Sequence, residues 1–242
     1  MRLTDFKVLT FDCYGTLIDW ETGIFTALQP LLTQAGVTLP KDKVLEIFAQ
    51  HESRQQTETP SMVYPELLAA VHRRLATLWG VTASDLAHRS FGQSVPEWPV
   101  FIDSAASLQY LKKYYKLVIL SNVDRASFKA SNVRLQVEFD AIYTAQDIGS
   151  YKPDPRNFDY LLSHLAEQGV AKGDILHTAQ SLFHDHGPAN RVGLASAWID
   201  RRYAEGGWGA TMPPPKEIKL DFHFNSMNDL VRAHQEELRA TA

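Results

Sequence analysis

Asp12 ends the apolar run KVLTF and precedes Gly15 and Thr16, so a carboxylate stands where a buried strand turns. A buried acid is costly unless something compensates for it. Three further apolar runs give way to polar residues. LVIL ends in Ser121 and Asn122; AIYTA is followed by YKPDP with Lys152; DILHTA leads into Gln180, Ser181 and then Asp185. Together these groups supply a carboxylate suited to nucleophilic attack, an ammonium to keep it ionised, a second acid, hydroxyls and amides. Singly, each is ordinary turn chemistry. Complementary groups at four strand ends are harder to assign to turns alone.

The elements that must carry them follow from periodicity. FKVLTF, KLVILSN, AIYTA, DILHTAQ and ASAWI are short, apolar and rich in β-branched residues, and LDFHF adds a last short strand. Helical stretches separate them. In PRNFDYLLSHLAEQG, Asp154 is placed to cap and Pro155 to start the helix. The alternation predicts an α/β fold with a parallel sheet covered on both faces.

Between the first and second strands the pattern is helical from Trp20 to Ser94. Ile24, Phe25, Leu28, Leu31 and Leu32 mark one helix ended by Gly36. Val44, Ile47 and Phe48 mark a second. Leu67, Leu68, Val71, Leu75 and Leu78 mark a third, with Pro65 in its first turn and Gly80 at its end. VPEWP is a hinge back to the sheet, TMPPPKE a turn-rich connection, and a final helix runs from Asn228 to Ala240. The expected division is a core of residues 1–18 and 99–242 and a helical cap of residues 19–98. Sites of open parallel sheets lie beyond the carboxyl ends of the strands, so an insert after the first strand covers the site.

The bulk composition narrows the function. Of 242 residues, 45% are hydrophobic, enough for a real core, and the formal net charge of −4 disfavours a nucleic-acid partner. The single cysteine, Cys13, excludes an intrachain disulfide and fits a reducing compartment. No apolar h-region opens the chain and no apolar run reaches eighteen residues. A cytoplasmic protein without a membrane partner is expected.

The motifs DCYGTL, SN after an apolar strand, YKPDP and QSLFHD resemble, in order, the four motifs of the haloacid dehalogenase superfamily. The resemblance spans nearly the whole chain and implies a Rossmann-like core, a helical cap and a nucleophilic aspartate, Asp12. The superfamily's phosphatases carry a second aspartate where this chain has Tyr14, and an acid where it has Gln180. Those changes remove a proton donor and part of a magnesium site. They point instead to the 2-haloacid dehalogenase branch, which uses neither metal nor other cofactor. Asp12 would then displace a leaving group from the α-carbon of a small carboxylic acid, and water would cleave the resulting ester. Lys152 and Asp185 are the expected catalytic partners, with Asp185 the base. Thr16, Trp20, Ser121, Asn122, Gln180 and Tyr14 are the expected substrate contacts. A homodimer is compatible with the resemblance.

Three departures concern the leaving group. VLEIFAQHES lacks the arginine that dehalogenases of this branch place on their second cap helix, and Arg54 comes a turn or more later. Phe158 replaces a tyrosine, and Gln180-Ser181-Leu182 replaces Ser-Ser-Asn. Cleavage of a C–halogen bond ranks first; opening of the azetidine-2-carboxylate ring, another activity of the branch, ranks second. Trp20, Phe48 and Phe91 are candidate pocket aromatics for a ring ammonium. A magnesium-dependent phosphatase and a binding protein without turnover rank behind both. His177, His184, Asp185 and His186 contain metal-ligand types, but no metal is expected there.

Overall fold

The computed structural model describes residues 1–214 and 218–240. The chain runs β1 (Val8–Phe11), α1 (Trp20–Ala35), α2 (Lys41–Glu58), α3 (Tyr64–Leu78), α4 (Asp85–Gly92), α5 (Ser104–Leu111), β2 (Lys116–Ser121) and α6 (Arg125–Leu135). It continues through β3 (Ala141–Thr144), α7 (Ala145–Ile148), α8 (Pro155–Glu167), β4 (Ile175–Ala179), α9 (Gly187–Val192), β5 (Ala195–Ile199), β6 (Phe222–Phe224) and α10 (Met227–Ala240). Part of the turn-rich connection, residues 215–217, lies outside the described residues.

All six strands are parallel, in the order β3-β2-β1-β4-β5-β6. β1 is central, and all four of its residues are buried, as expected of a strand covered on both faces. One face packs Leu117 and Ile119 with residues of α5, α6 and α10; the other packs Val118 and Leu120 with Phe158, Leu161 and Leu165 of α8. The chain leaves β1 for β2 and β3 on one side and returns for β4 on the other. This reversal is the switch point where open α/β sheets form sites. Phe11 pairs with both Ile119 and Thr178, so Asp12, Leu120 and Ala179 come out abreast.

The insert between β1 and β2 contains four helices where periodicity predicts three. α4 has eight residues, with Leu86 exposed and Phe91 buried, too short a stripe for a helical period to emerge. Its start was nonetheless marked, because the Ser84 hydroxyl caps Ala87 N at 3.2 Å. The other signals act locally as expected. Gly36 ends α1 in the left-handed region, Pro65 lies in the first turn of α3, and Asp154 caps α8. Ile18 and Val100 form an antiparallel bridge where the chain enters and leaves the insert. Gly23 lets α1 sit on this return: a Cβ there would lie 2.3 Å from Trp98 Cγ. Among the described residues no helix is long and apolar enough to cross a membrane.

Candidate active site

Asp12 projects from the end of β1 and is 6% exposed. Lys152, on the loop before α8, is 1% exposed and extends Nζ under the sheet edge. Its ammonium donates to Asp12 Oδ1 at 2.9 Å, Asp185 Oδ1 at 2.6 Å and the Leu120 carbonyl at 2.8 Å, so all three donor directions are used. One cation thus serves two buried carboxylates. Asp185 lies in a single π-helical turn, Leu182–His186, after β4, and its Oδ1 also meets His177 Nε2 at 3.0 Å. His177 Nδ1 in turn meets Thr10 Oγ1 at 2.8 Å, closing a chain of partners across β1 and β4.

The two acids differ in proton affinity. Burial raises Asp12 above the ordinary aspartate value, and the Asp185 charge adds to this, against the pull of Lys152 and Thr16. At Asp185 burial also pushes upward, but Lys152 and His177 outweigh it and hold the carboxyl well below the usual range. Asp12 is therefore the less compensated of the two carboxylates. The same clamp lowers the proton affinity of Asp185, the residue expected to act as base. Its Oδ2 is buried and has no protein partner among the described residues.

The remaining candidates divide. Thr16 donates its hydroxyl to Asp12 Oδ2 at 2.8 Å and accepts Gln180 N at 2.9 Å, so it positions the Asp12 carboxylate and has no proton left for another acceptor. Asn122 exchanges both amide atoms with the Lys152 main chain, at 2.7 and 3.0 Å, and fixes the loop that carries the lysine. Ser121 is buried, its Oγ without a partner among the described residues, and does not line the cavity above Asp12. Gln180 lines a neighbouring cavity with Gly15, Trp20 and Arg201. Tyr14 lines the Asp12 cavity, yet its hydroxyl bonds Ser131 Oγ at 2.8 Å on α6. Trp20, at the start of α1, lines the cavity, whereas Phe48 and Phe91 do not; they pack edge to face, 6.3 Å apart, within the insert. Phe158 is buried against His177. Arg54 pairs with Glu58 on the exposed side of α2.

Sequence reasoning missed the insert's own contribution. Glu52 and Gln56 of α2 and Tyr64 of α3 line the same cavity as Asp12. A signal existed: Val44, Phe48, Glu52 and Gln56 recur every four residues and are all buried on α2. Polar residues on an apolar stripe are the informative exception. His184, also missed among the site residues, lines the cavity, its Nε2 without a partner among the described residues, and burial pushes it down to about 4, so the ring is neutral. The cavity holds only about 30 Å³, room for about two waters. A cleft of about 470 Å³ meets it at Gln56 and Lys152.

A buried carboxylate thus stands beside a lysine at the switch point of a parallel sheet, beneath a helical insert. A family model for haloacid dehalogenase-like hydrolases matches residues 6–181, and the chain belongs to that family. It is 24% identical to (S)-2-haloacid dehalogenase 4A of Burkholderia cepacia, over 93% of each chain. The fold matches an L-2-haloacid dehalogenase from Xanthobacter autotrophicus with a TM-score of 0.74 and 20% identity, over 98% of this chain and all of that one. It matches a magnesium-bound protein of Bacillus subtilis described as a HAD-hydrolase equally well, with a TM-score of 0.74 and 16% identity over 97% and 100%. The fold alone therefore does not choose between chemistries with and without a metal.

The donor set can be compared with what magnesium requires. Magnesium takes hard oxygen ligands in octahedral geometry. Here Asp12 and Asp185 both direct an oxygen at the Lys152 ammonium, and the Tyr14 hydroxyl is turned to α6. Among the described residues no group of three or more His, Cys, Asp and Glu side chains could hold a metal ion. These residues do not fit magnesium.

Proposed function

We propose that the protein hydrolyses a small 2-substituted carboxylic acid through an ester on Asp12, and that the bond cleaved is the C–halogen bond of a 2-haloacid. The Asp12–Lys152–Asp185 cluster carries this reading, because it holds a desolvated carboxylate ionised without metal. Asp12 attacks C2 from the core side while halide departs on the opposite side, toward the insert. Closure of the insert, residues 19–98, excludes bulk water during this step. Water then adds to the ester carbonyl, oriented by Asp185 Oδ2, and returns Asp12 with one oxygen from solvent. Thr16 steadies the nucleophile through its hydroxyl bond to Asp12 Oδ2.

The test is a single turnover of a 2-chloro acid in heavy-oxygen water. Label should appear in Asp12 and not in the product; label passing directly into product would exclude the ester. Release of phosphate from simple esters in its place would restore the phosphatase reading. Inertness toward every substrate would favour a binding protein.

One observation supports a second reading, opening of the azetidine-2-carboxylate ring. Lys152 is the only cationic side chain among the described residues lining the cavity, and it is already shared by two acids, while the insert adds a third acid, Glu52. Such a site suits a cationic substrate group better than a second anion.

A further inference from the structure

Two residues that line the Asp12 cavity each carry a buried polar atom with no hydrogen-bond partner among the described residues: Asp185 Oδ2 and His184 Nε2. Both residues belong to the single π-helical turn Leu182–His186, and each is fixed through its other polar atom. Asp185 gives Oδ1 to Lys152 Nζ and His177 Nε2, at 2.6 and 3.0 Å. His184 keeps Nδ1 3.2 Å from Ser181 Oγ, and the same oxygen accepts the His184 main-chain N–H at 3.0 Å. The imidazole is thus held by its own turn, which leaves Nε2 as its free nitrogen. Phe183 packs edge-on against the ring, with centroids 4.9 Å apart. A packing role would explain that contact alone. A phenylalanine in the same place would fill the space without leaving a buried nitrogen unsatisfied. The cavity admits one or two waters, and a water there has Asp185 Oδ2 and His184 Nε2 as unused partners.

Hydrolysis of an Asp12 ester needs an acceptor for a proton of the attacking water. The other titratable groups of the cavity are poorly suited to it. Lys152 spends its three hydrogens on Asp12, Asp185 and the Leu120 carbonyl and has no lone pair. Its ammonium and His177 hold Asp185 well below the usual carboxylate range. Burial pushes the Tyr14 and Tyr64 phenols up, so both keep their protons. Glu52, on the insert side, is bonded to Tyr64 and raised by burial to about 7. We propose that His184 is the catalytic base of ester hydrolysis, taking a proton at Nε2 from the water that Asp185 Oδ2 orients. This rests on Asp12 forming the ester. In the acting tautomer the ring proton sits on Nδ1, toward Ser181. As the water oxygen bonds to Asp12 Cγ, one water proton passes to Nε2 and the carbonyl electron pair moves onto oxygen. Collapse breaks the bond between Cγ and the product oxygen, which leaves with that electron pair and takes the proton back from Nε2. The second water proton ionises from the regenerated Asp12 carboxyl beside Lys152 and passes to solvent.

The test is a rapid-quench single turnover of 2-chloropropionate. In His184→Phe and His184→Gln, chloride release in the first turnover should keep its wild-type rate. The Asp12 ester should then decay about 100-fold more slowly and be seen as a mass increase on the peptide that contains Asp12. A packing role would slow displacement and hydrolysis together. The pH profile of ester decay in the wild-type protein needs no variant to fold. Decay should be level across neutral pH and decline only as pH falls toward about 4, where the imidazole takes up a proton. Burial sets that low value, with Asp185 pulling it up and Lys152 pushing it down. Three results would each overturn the proposal: ester decay at the wild-type rate in both variants, parallel loss of both steps, or a decline centred near about 7, which would give the proton to Glu52. Heavy-oxygen labelling separates failure at the other level. No label on Asp12 in the wild-type protein defeats the ester itself and leaves the base without a reaction.

Discussion

The two walls of the cavity solve opposite problems. On the core side, three buried ionisable groups neutralise one another in part: Lys152 bonds both Asp12 and Asp185, and His177 braces the second acid. On the insert side, Glu52 is buried beside the Tyr64 phenol, with no salt bridge among the described residues. The core wall keeps a charge ready before substrate arrives. The insert wall holds an acid whose charge state depends on what enters. The difference shows that burial raises the proton affinity of a carboxyl, and that a neighbouring ammonium decides whether the rise survives.

The comparison can be broken most severely at the core. Asp12→Asn should lower turnover by about 10⁴-fold or more, with the circular-dichroism spectrum unchanged; residual activity near wild type would move the nucleophile elsewhere. Lys152→Met removes the shared ammonium and leaves two carboxylates buried without it. Destabilisation of about 3–5 kcal/mol is expected in urea unfolding at neutral pH. Lowering the pH should narrow that deficit as the acids take up protons.

The insert wall predicts the reverse response to removing its charge. Glu52 has a folded pKa of about 7, above the ordinary 4.5, so the folded state binds the extra proton and wild-type stability falls as pH rises between those values. Glu52→Gln does not titrate. It should match wild type near pH 4 and exceed it by on the order of 3 kcal/mol above pH 8. A variant that loses stability at pH 8 would mean that Glu52 is compensated as the core acids are. Gly23→Ala tests the seating of the insert on Trp98 with a smaller expected cost, about 1–3 kcal/mol from overpacking; a thermal melt checks it. The smallest expected effect is none: excess EDTA should leave turnover unchanged, and loss restored by magnesium would show that the ammonium is not the cation the acids use.

Much of the core wall was legible in the chain. Apolar runs of strand length ended in Asp12, Ser121 and Asn122, and Gln180, with Lys152 a few residues beyond a fourth. Parallel register brings strand ends to one edge, so order in the sequence became proximity in space. The same local logic placed Gly36, Pro65 and Asp154 at helix ends, because a cap depends on a few neighbouring residues. What each site residue does there was not legible. Thr16 and Asn122 have the right groups to bind a carboxylate, yet their hydrogen-bonding atoms are committed to Asp12 and the Lys152 backbone. Partners up to 164 residues apart set those commitments, and no spacing rule reaches that far.

The insert wall lay further from view. The period of α2 marked Val44 and Phe48 as inward-facing, and continuing it by four gives Glu52 and then Gln56. Sequence alone therefore determined that Asp12 sits at a strand end, that a lysine and a second acid follow at others, and that helices cover them. Only the tertiary structure decided which carboxylate receives the ammonium, which hydroxyls remain free, and that α2 turns Glu52 into the cavity. The physical reason is that a pKa and a hydrogen bond are set by what lies within a few ångströms, and packing between core and insert chooses those neighbours.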